Sequence, residues 1–294
     1  MSNLYVDKVA SPVVLNEAWQ VVRKNRDPWC GDLSIRDMQP DLIRHVGDVS
    51  RALLAGRFRF DTMCCRLVSP FWGEKRVLCR CSLRNQLVQQ AILLVLNPVA
   101  KIELGYIEYS ADLVNSKIRE LVASGYVWLG MTQISNSADL VNHELLLKLL
   151  YKLCGDKPLV ALVRDCLLSQ PQKFRIDGGG LFGGMILTPF LNELYLHQLD
   201  LCLTQKHIPF VRFGDELMVL AREEAGASKA LDVVQRQLLK LELVADQTRV
   251  VRSSFKYKFV GKRLPNSDGL WESLTGQKAE PEPVGMWQRL INRG

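Results

Sequence analysis

The stretch that decides how this chain is read is Val211-Arg212-Phe213-Gly214-Asp215-Glu216-Leu217-Met218-Val219-Leu220. Apolar residues flank two adjacent carboxylates, Asp215 and Glu216, and the pattern predicts a hairpin with the acids at its tip. A tight turn between buried strands fixes carboxylates where a divalent cation can sit, because Mg²⁺ needs oxygen ligands in near-octahedral geometry. Alone, two acids on a turn specify little. The elements on either side give them meaning.

Immediately upstream, a long helix is predicted over Pro189–Gln205, preceded by the glycine-rich run Asp177-Gly178-Gly179-Gly180-Leu181-Phe182-Gly183-Gly184. With no P-loop lysine after it, that run reads as a flexible turn rather than a phosphate cradle. Downstream, a helix is expected over Ala227–Leu241 and a strand pair over Phe255–Leu264. Further back, helices are predicted at Leu15–Arg26, Gln39–Leu54, Arg84–Leu96 (stopped by Pro98), Ser110–Ser124 (stopped by Gly125) and Asn142–Leu153. Strands are predicted at Arg57–Pro70 and Lys75–Cys81 around a turn at Trp72-Gly73-Glu74, and at Tyr126–Ile134. After Pro265 the chain is polar and turn-rich, with a short amphipathic finish at Met286–Ile291. Helices alternating with two-strand units predict an α+β fold, an antiparallel sheet backed by helices.

The chain has 294 residues, enough for one large domain or two intimately packed subdomains. A formal charge of +7 favours a polyanionic partner without proving one. The eight cysteines, Cys30, Cys64, Cys65, Cys79, Cys81, Cys154, Cys166 and Cys202, include no paired Cys-x-x-Cys motifs, so a zinc site is not expected and buried free thiols in a reducing cytosol are. The N-terminus resembles no signal peptide, and the uncharged run up to Ala100 is too short and too interrupted by glutamine to span a bilayer. A cytoplasmic or organellar-matrix location without membrane contact follows as the expectation. The four histidines, His45, His143, His197 and His207, are scattered, and surface or capping roles outrank metal ligation.

In this order the residues resemble the group II intron-type and related prokaryotic reverse transcriptases, from about Leu15 to Leu264. The turn Cys30-Gly31-Asp32 and Gly56-Arg57-Phe58-Arg59-Phe60 are similar to the family's N-terminal segment and its approach to the fingers hairpin. Gly73-Glu74-Lys75-Arg76-Val77-Leu78 resembles the basic turn that meets the incoming triphosphate, and Leu83-Arg84-Asn85-Gln86-Leu87-Val88-Gln89-Gln90-Ala91 the start of the next fingers helix. Leu187-Thr188-Pro189-Phe190-Leu191-Asn192-Glu193-Leu194-Tyr195-Leu196 resembles the template-side helix, with Leu199-Asp200 beyond it, and Phe255–Leu264 the primer-grip hairpin. The resemblance implies a right-hand fingers-and-palm fold, with an N-terminal segment (1–45), fingers (46–125), palm (126–264) and a tail (265–294). With about thirty residues after Leu264, little or no thumb is expected.

The departures fall in the implied catalytic centre. Gln133 stands where the family carries the aspartate ending its first palm strand, and a neutral amide cannot bridge two Mg²⁺ ions as a carboxylate does. Asp139, a few residues on, is expected to cap the helix beginning near Asn142. Where the family has Tyr and paired aspartates, this chain has Phe213-Gly214-Asp215-Glu216. Phe182-Gly183-Gly184 replaces the family's Pro-Gln-Gly, and Gly105-Tyr106-Ile107-Glu108 lacks its Arg-Pro. Losing one bridging acid typically costs several kcal/mol of transition-state stabilisation, a rate loss of order thousands.

The leading expectation is therefore a catalytically inactive, reverse-transcriptase-like protein that binds RNA or an RNA-containing duplex within a ribonucleoprotein or multi-subunit assembly. Asp215 and Glu216 would be vestigial, no cofactor would be required, and Lys75, Arg76, Arg84, Lys256, Lys258, Lys262 and Arg263 would meet the phosphate backbone. On Phe255–Leu264 the basic residues interleave with aromatics, which puts charge on one strand face and core on the other. An active, unusual RNA-directed DNA polymerase stays open as an alternative, using Asp215, a Mg²⁺ or Mn²⁺ ligand, with Glu216, and Asp139 or Asp177 repositioned. So does a protein-assembly scaffold that docks through Trp271, Trp287 and Leu290 of the tail.

Overall fold

A computed structural model describes residues 4–31, 33–68, 76–103, 111–171, 179–254 and 256–265. These fall into two compact units that interleave along the chain. The first comprises Met1–Glu108, Ile134–Cys202 and Gln235–Ala245; the second comprises Tyr109–Gln133, Leu203–Val234 and Asp246–Gly294. Helices and antiparallel strand pairs make up both, as the α+β expectation requires. Among the described residues no helix is long and apolar enough to cross a membrane.

The first unit opens with α1 (Leu4–Val9), α2 (Pro12–Val22), α3 (Ile35–Met38) and α4 (Leu42–Leu54). Ser11 starts α2 by accepting the Val14 N–H at 3.3 Å, with Pro12 in the first turn where its missing donor costs nothing. The buried stripe Leu15, Ala18, Trp19 and Val22 packs on α5 (Leu83–Glu103). Pro98 does not end α5, as expected from sequence, but lies inside it. A proline there forfeits one backbone bond, about 3 kcal/mol or more, and the offset is burial on both sides of it: Leu96 and Ala100 are almost wholly inaccessible.

Between α4 and α5 the expected strand shortens to β1 (Cys64–Val68), paired antiparallel with β2 (Arg76–Arg80). Residues 57–63 stay irregular because Asp61 bonds to α5 instead of to a ladder: its N–H reaches Asn85 Oδ1 at 3.0 Å and its carbonyl accepts Asn85 Nδ2 at 2.8 Å. The expectation of uniformly free thiols fails here, since Cys65 and Cys79 form a disulfide. Cys79 turns its N–H away from β1 to the Gly183 carbonyl at 2.8 Å. Cys65 and Cys79 are therefore a non-hydrogen-bonded cross-strand pair, the register at which facing side chains come closest. The other described cysteines are free thiols, and burial pushes Cys81 up to about 11.

α7 (His143–Cys154) and α8 (Lys157–Leu168) follow as a helical pair. Asn142, not Asp139, caps α7, its Oδ1 accepting the Leu145 N–H at 3.0 Å. α8 was not anticipated, although Gly155 (φ 65°) closes α7 and Asp156 caps α8 by accepting the Leu159 N–H at 2.9 Å. The run Gly155-Asp156-Lys157-Pro158 is a stop signal followed at once by a start signal. α9 (Thr188–Gln205) is buried nearly all round, and Tyr195 inside it donates to the Leu241 carbonyl at 2.8 Å.

The second unit holds α6 (Ala111–Ala123), β3 (Trp128–Ser135), β4 (Phe210–Phe213), β5 (Glu216–Ala221), the start of α10 (Glu224–Lys240), most of β6 (Val244–Arg252) and the short hairpin β7 (Lys258–Phe259) and β8 (Lys262–Arg263). The sheet order is β4-β5-β3-β6, with β3 and β4 both antiparallel to β5. β6 went unrecognised in the sequence because an edge strand carrying Asp246, Gln247, Thr248 and Arg249 has no alternating apolar pattern. One sheet face (Leu129, Met131, Met218, Leu220, Val211) closes on Val114, Ile118 and Val122 of α6 and on Phe259 and Leu264. On the other face Gly130 lets a helix approach: a β-carbon there would lie 2.7 Å from Val219 and 2.8 Å from Leu231 of α10.

Candidate functional site

The acid pair lies where its sequence pattern predicts. β4 and β5 form a hairpin closed by the pair Phe213–Glu216, which leaves Gly214 and Asp215 as a two-residue loop. Gly214 takes φ +56°, a conformation open to glycine at no steric cost and suited to the twist of a tight hairpin. Arg212, largely buried beneath, donates to the Gly214 carbonyl at 3.1 Å and steadies the turn. Asp215 is half-buried at the tip and Glu216 is exposed.

The register of β3 brings in the third position. Gln133 lies directly opposite Glu216, as Met131 lies opposite Met218 and Leu129 opposite Leu220. Directly opposed residues share a face, so Phe213, Glu216 and Gln133 form one cross-strand row at the exposed rim above the apolar core. The row contains an aromatic ring, a carboxylate and a neutral amide. Thr132, pointing the other way, bonds the β6 edge through the Asp246 carbonyl at 3.0 Å and the Thr248 hydroxyl at 2.9 Å.

From the sequence Glu216 is vestigial or, in the active alternative, a metal ligand; in the structure its Oε2 accepts the backbone N–H of Val260 at 3.1 Å. Val260 sits in the β7–β8 turn with φ +49°, beside Gly261 at φ +72°. A β-branched residue in the left-handed region is uncommon and is held only by its surroundings. No sequence signal pairs residues 44 apart in this way.

Two-metal phosphoryl transfer needs several convergent carboxylates to hold both ions. Among the described residues no group of three or more His, Cys, Asp or Glu side chains is placed to hold a metal. At the hairpin tip the described side chains of the acid pair and of the position facing it are Asp215, a glutamate bonded to a backbone amide, and a neutral amide, and these three alone do not fit two divalent ions. Asp139 belongs to the turn after β3, where its carbonyl approaches Gly180; Asp177 lies outside the described residues.

The basic residues divide. On the β7–β8 hairpin Lys256 and Lys258 are exposed while Tyr257 is half-buried and Phe259 buried, the expected alternation of charge and core. Lys262, exposed on β8, forms a salt bridge with Asp112 that holds this carboxyl below its usual range. Arg249 lies over the Tyr257 ring at 5.5 Å, a cation absent from the sequence-derived set. In the first unit Arg84 has its fork occupied: Nη2 reaches Asp61 Oδ1 at 2.5 Å and the Arg59 carbonyl at 2.7 Å, and the guanidinium lies 5.0 Å from the Phe58 ring. Lys75, and the side chains of Arg76 and Arg263, fall outside the described residues, as do Trp271, Trp287 and Leu290.

The glycine run has a packing reason. A β-carbon on Gly184 (φ +96°) would meet the Cys79 carbonyl oxygen at 2.0 Å, so β2 and this loop approach backbone to backbone. His143 Nε2 lies 2.7 Å from the Gly180 carbonyl.

No protein-family model matches the sequence. An uncharacterized 91 kDa protein in a cob intron of Schizosaccharomyces pombe is 24% identical over 206 residues, covering 67% of this chain and 26% of that protein. The structure of telomerase from Candida albicans with a fragment of telomeric RNA superposes with a TM-score of 0.53 at 13% identity, over 80% of this chain and 49% of the telomerase chain. A partial Cas6-RT-Cas1–Cas2 complex aligns at 20% identity with a TM-score of 0.48, over 80% of this chain and 42% of that one. The chain thus spans about a quarter of the curated relative it matches and less than half of either structural neighbour. The chain has a fold in common with telomerase, and its sequence resembles the group II intron-type and prokaryotic reverse transcriptases.

Proposed function

We propose that this protein is a reverse-transcriptase-like subunit that binds RNA or an RNA-containing duplex within a larger assembly and does not itself polymerise. The observation that carries the proposal is the register Gln133–Glu216, which sets a neutral amide directly across from the second acid of the pair. A palm of this kind keeps its shape, since the strands pair through backbone, while lacking the charge that neutralises two metal ions and the transferring phosphoryl group. The RNA partner is supported by the net charge of +7, by the exposed lysines Lys256 and Lys258 on a hairpin of alternating charge and core, and by a fold shared with a telomerase solved with RNA. Contacts of this type track the phosphate backbone and read A-form shape and 2′-hydroxyls more than base sequence.

Primer extension on RNA and DNA templates in Mg²⁺ and in Mn²⁺, beside Asp215→Ala, tests the inactive reading. No extension by the wild type is the expected result. Extension that disappears in Asp215→Ala would overturn it and establish the unusual polymerase, with Asp215 as the metal ligand. Binding to a short RNA duplex, followed by anisotropy across a salt series, tests the partner. Affinity should fall steeply with salt as phosphate counterions are released, and a salt-independent complex would refute backbone tracking.

A further inference from the structure

We infer that Glu216 is a positioning residue: its carboxylate holds the β7–β8 turn and thereby presents Lys258 to the nucleic acid. The inference rests, for its second half, on the RNA-binding reading above. Three observations converge on it. Glu216 Oε2 accepts the Val260 N–H at 3.1 Å, a bond between the rim of the main sheet and a hairpin 44 residues later. Val260 has φ +49°, a backbone conformation that a β-branched residue keeps only when its surroundings hold it there. Finally, β7 and β8 are joined by only two residue pairs, Lys258–Arg263 and Phe259–Lys262, a ladder too short to be stable alone.

Among the described residues the other anchors of the hairpin are Phe259 and Leu264 in the core, Tyr257 and Val260 packed against it, and Lys262 paired with Asp112. None of these takes the Val260 N–H. Glu216 does, from the strand that carries the acid pair, and the extra methylene of glutamate over aspartate supplies the reach. This chemistry makes demands opposite to those of a metal ligand. A metal site needs the negative charge and tolerates aspartate, whereas a cap on a backbone N–H needs an acceptor oxygen at glutamate's length and tolerates glutamine.

The test compares wild type, Glu216→Gln, Glu216→Asp and Glu216→Ala in the full chain by hydrogen exchange at the Val260 amide, with duplex RNA affinity measured on the same preparations. Glu216→Gln should keep the wild-type exchange rate within about twofold, and Glu216→Asp and Glu216→Ala should exchange roughly threefold to tenfold faster. Wild-type exchange in Glu216→Asp, or rapid exchange in Glu216→Gln, would overturn the assignment. RNA affinity should follow the same order, with Lys258→Ala in the wild-type background weakening it and adding little in Glu216→Ala. Equal RNA affinity in all four proteins would overturn the link from the turn to Lys258 while leaving the cap in place. A wild type that binds no RNA at all would instead refute the proposed function, and the exchange order would still decide the cap.

Discussion

The start of α5 and the tip of the β4–β5 hairpin are two places where this chain resembles reverse transcriptases, and they use the resemblance differently. At α5 three of the matching residues sit in a buried hydrogen-bond network. Asn85 is buried and satisfies both backbone groups of Asp61; Gln86, also buried, bonds Asp27 at 2.6 Å and the Cys81 carbonyl at 2.8 Å; Gln89 accepts the Ile186 N–H at 2.9 Å. At the hairpin tip, Phe213, Glu216 and Gln133 are exposed side chains on a backbone that pairs whatever they are. A buried polar side chain in a satisfied network has few substitutes, because each change strands a partner in a low-dielectric interior. An exposed one answers only to the chemistry it performs. The comparison teaches that departures from a family pattern carry functional information at the tip, where the fold tolerates them, and that agreement at α5 attests to the fold.

The largest effect that would sharpen this contrast lies beside α5. Replacing Cys65 by Ser opens a disulfide spanning 14 residues and should lower stability by about 3 kcal/mol in the chain-entropy picture. Urea unfolding of the variant against oxidised wild type measures it, and an unchanged midpoint would refute a disulfide in the folded protein. Next, Gln89→Ala should cost about 2 kcal/mol by leaving the Ile186 N–H without its partner, in the same assay. A cost no larger than that of a tip substitution would break the comparison. Glu216→Ala should then cost about 1 kcal/mol or less, for an exposed bond in competition with water. Smallest of all, Lys262→Ala should leave neutral-pH stability within the scatter of the measurement, its partner Asp112 being fully exposed. Because Lys262 lowers the Asp112 carboxyl in the folded state, any contribution is present above the ordinary aspartate range and lost as the pH falls through the folded value. Wild type and variant should therefore converge in acid.

Much of the fold was legible because helices and turns advertise themselves locally. The helix beginning near Asn142 and the acid pair at the turn after Phe213 follow from apolar periodicity and turn chemistry, although the cap of that helix is Asn142 and not Asp139. Three features were not legible, each for a physical reason. Pro98 reads as a stop, and only burial on both sides of it keeps α5 going. β6 is an edge strand with polar residues, so its pairing with β3 leaves no alternating trace. Cys65 and Cys79 bond because of register, and register depends on a hairpin whose turn residues say nothing about sulfur.

The candidate site divides along the same line. The amino-acid sequence by itself determined that the acid pair Asp215-Glu216 marks a tight turn between buried strands, and that Gln133 is neutral, since residue type and apolar patterning are local properties. Only the tertiary structure decided that Gln133 faces Glu216, that Asp61 occupies Arg84, and that Glu216 holds the Val260 amide. These are contacts between residues 83, 23 and 44 positions apart, brought together by strand register and core packing, which no local pattern encodes.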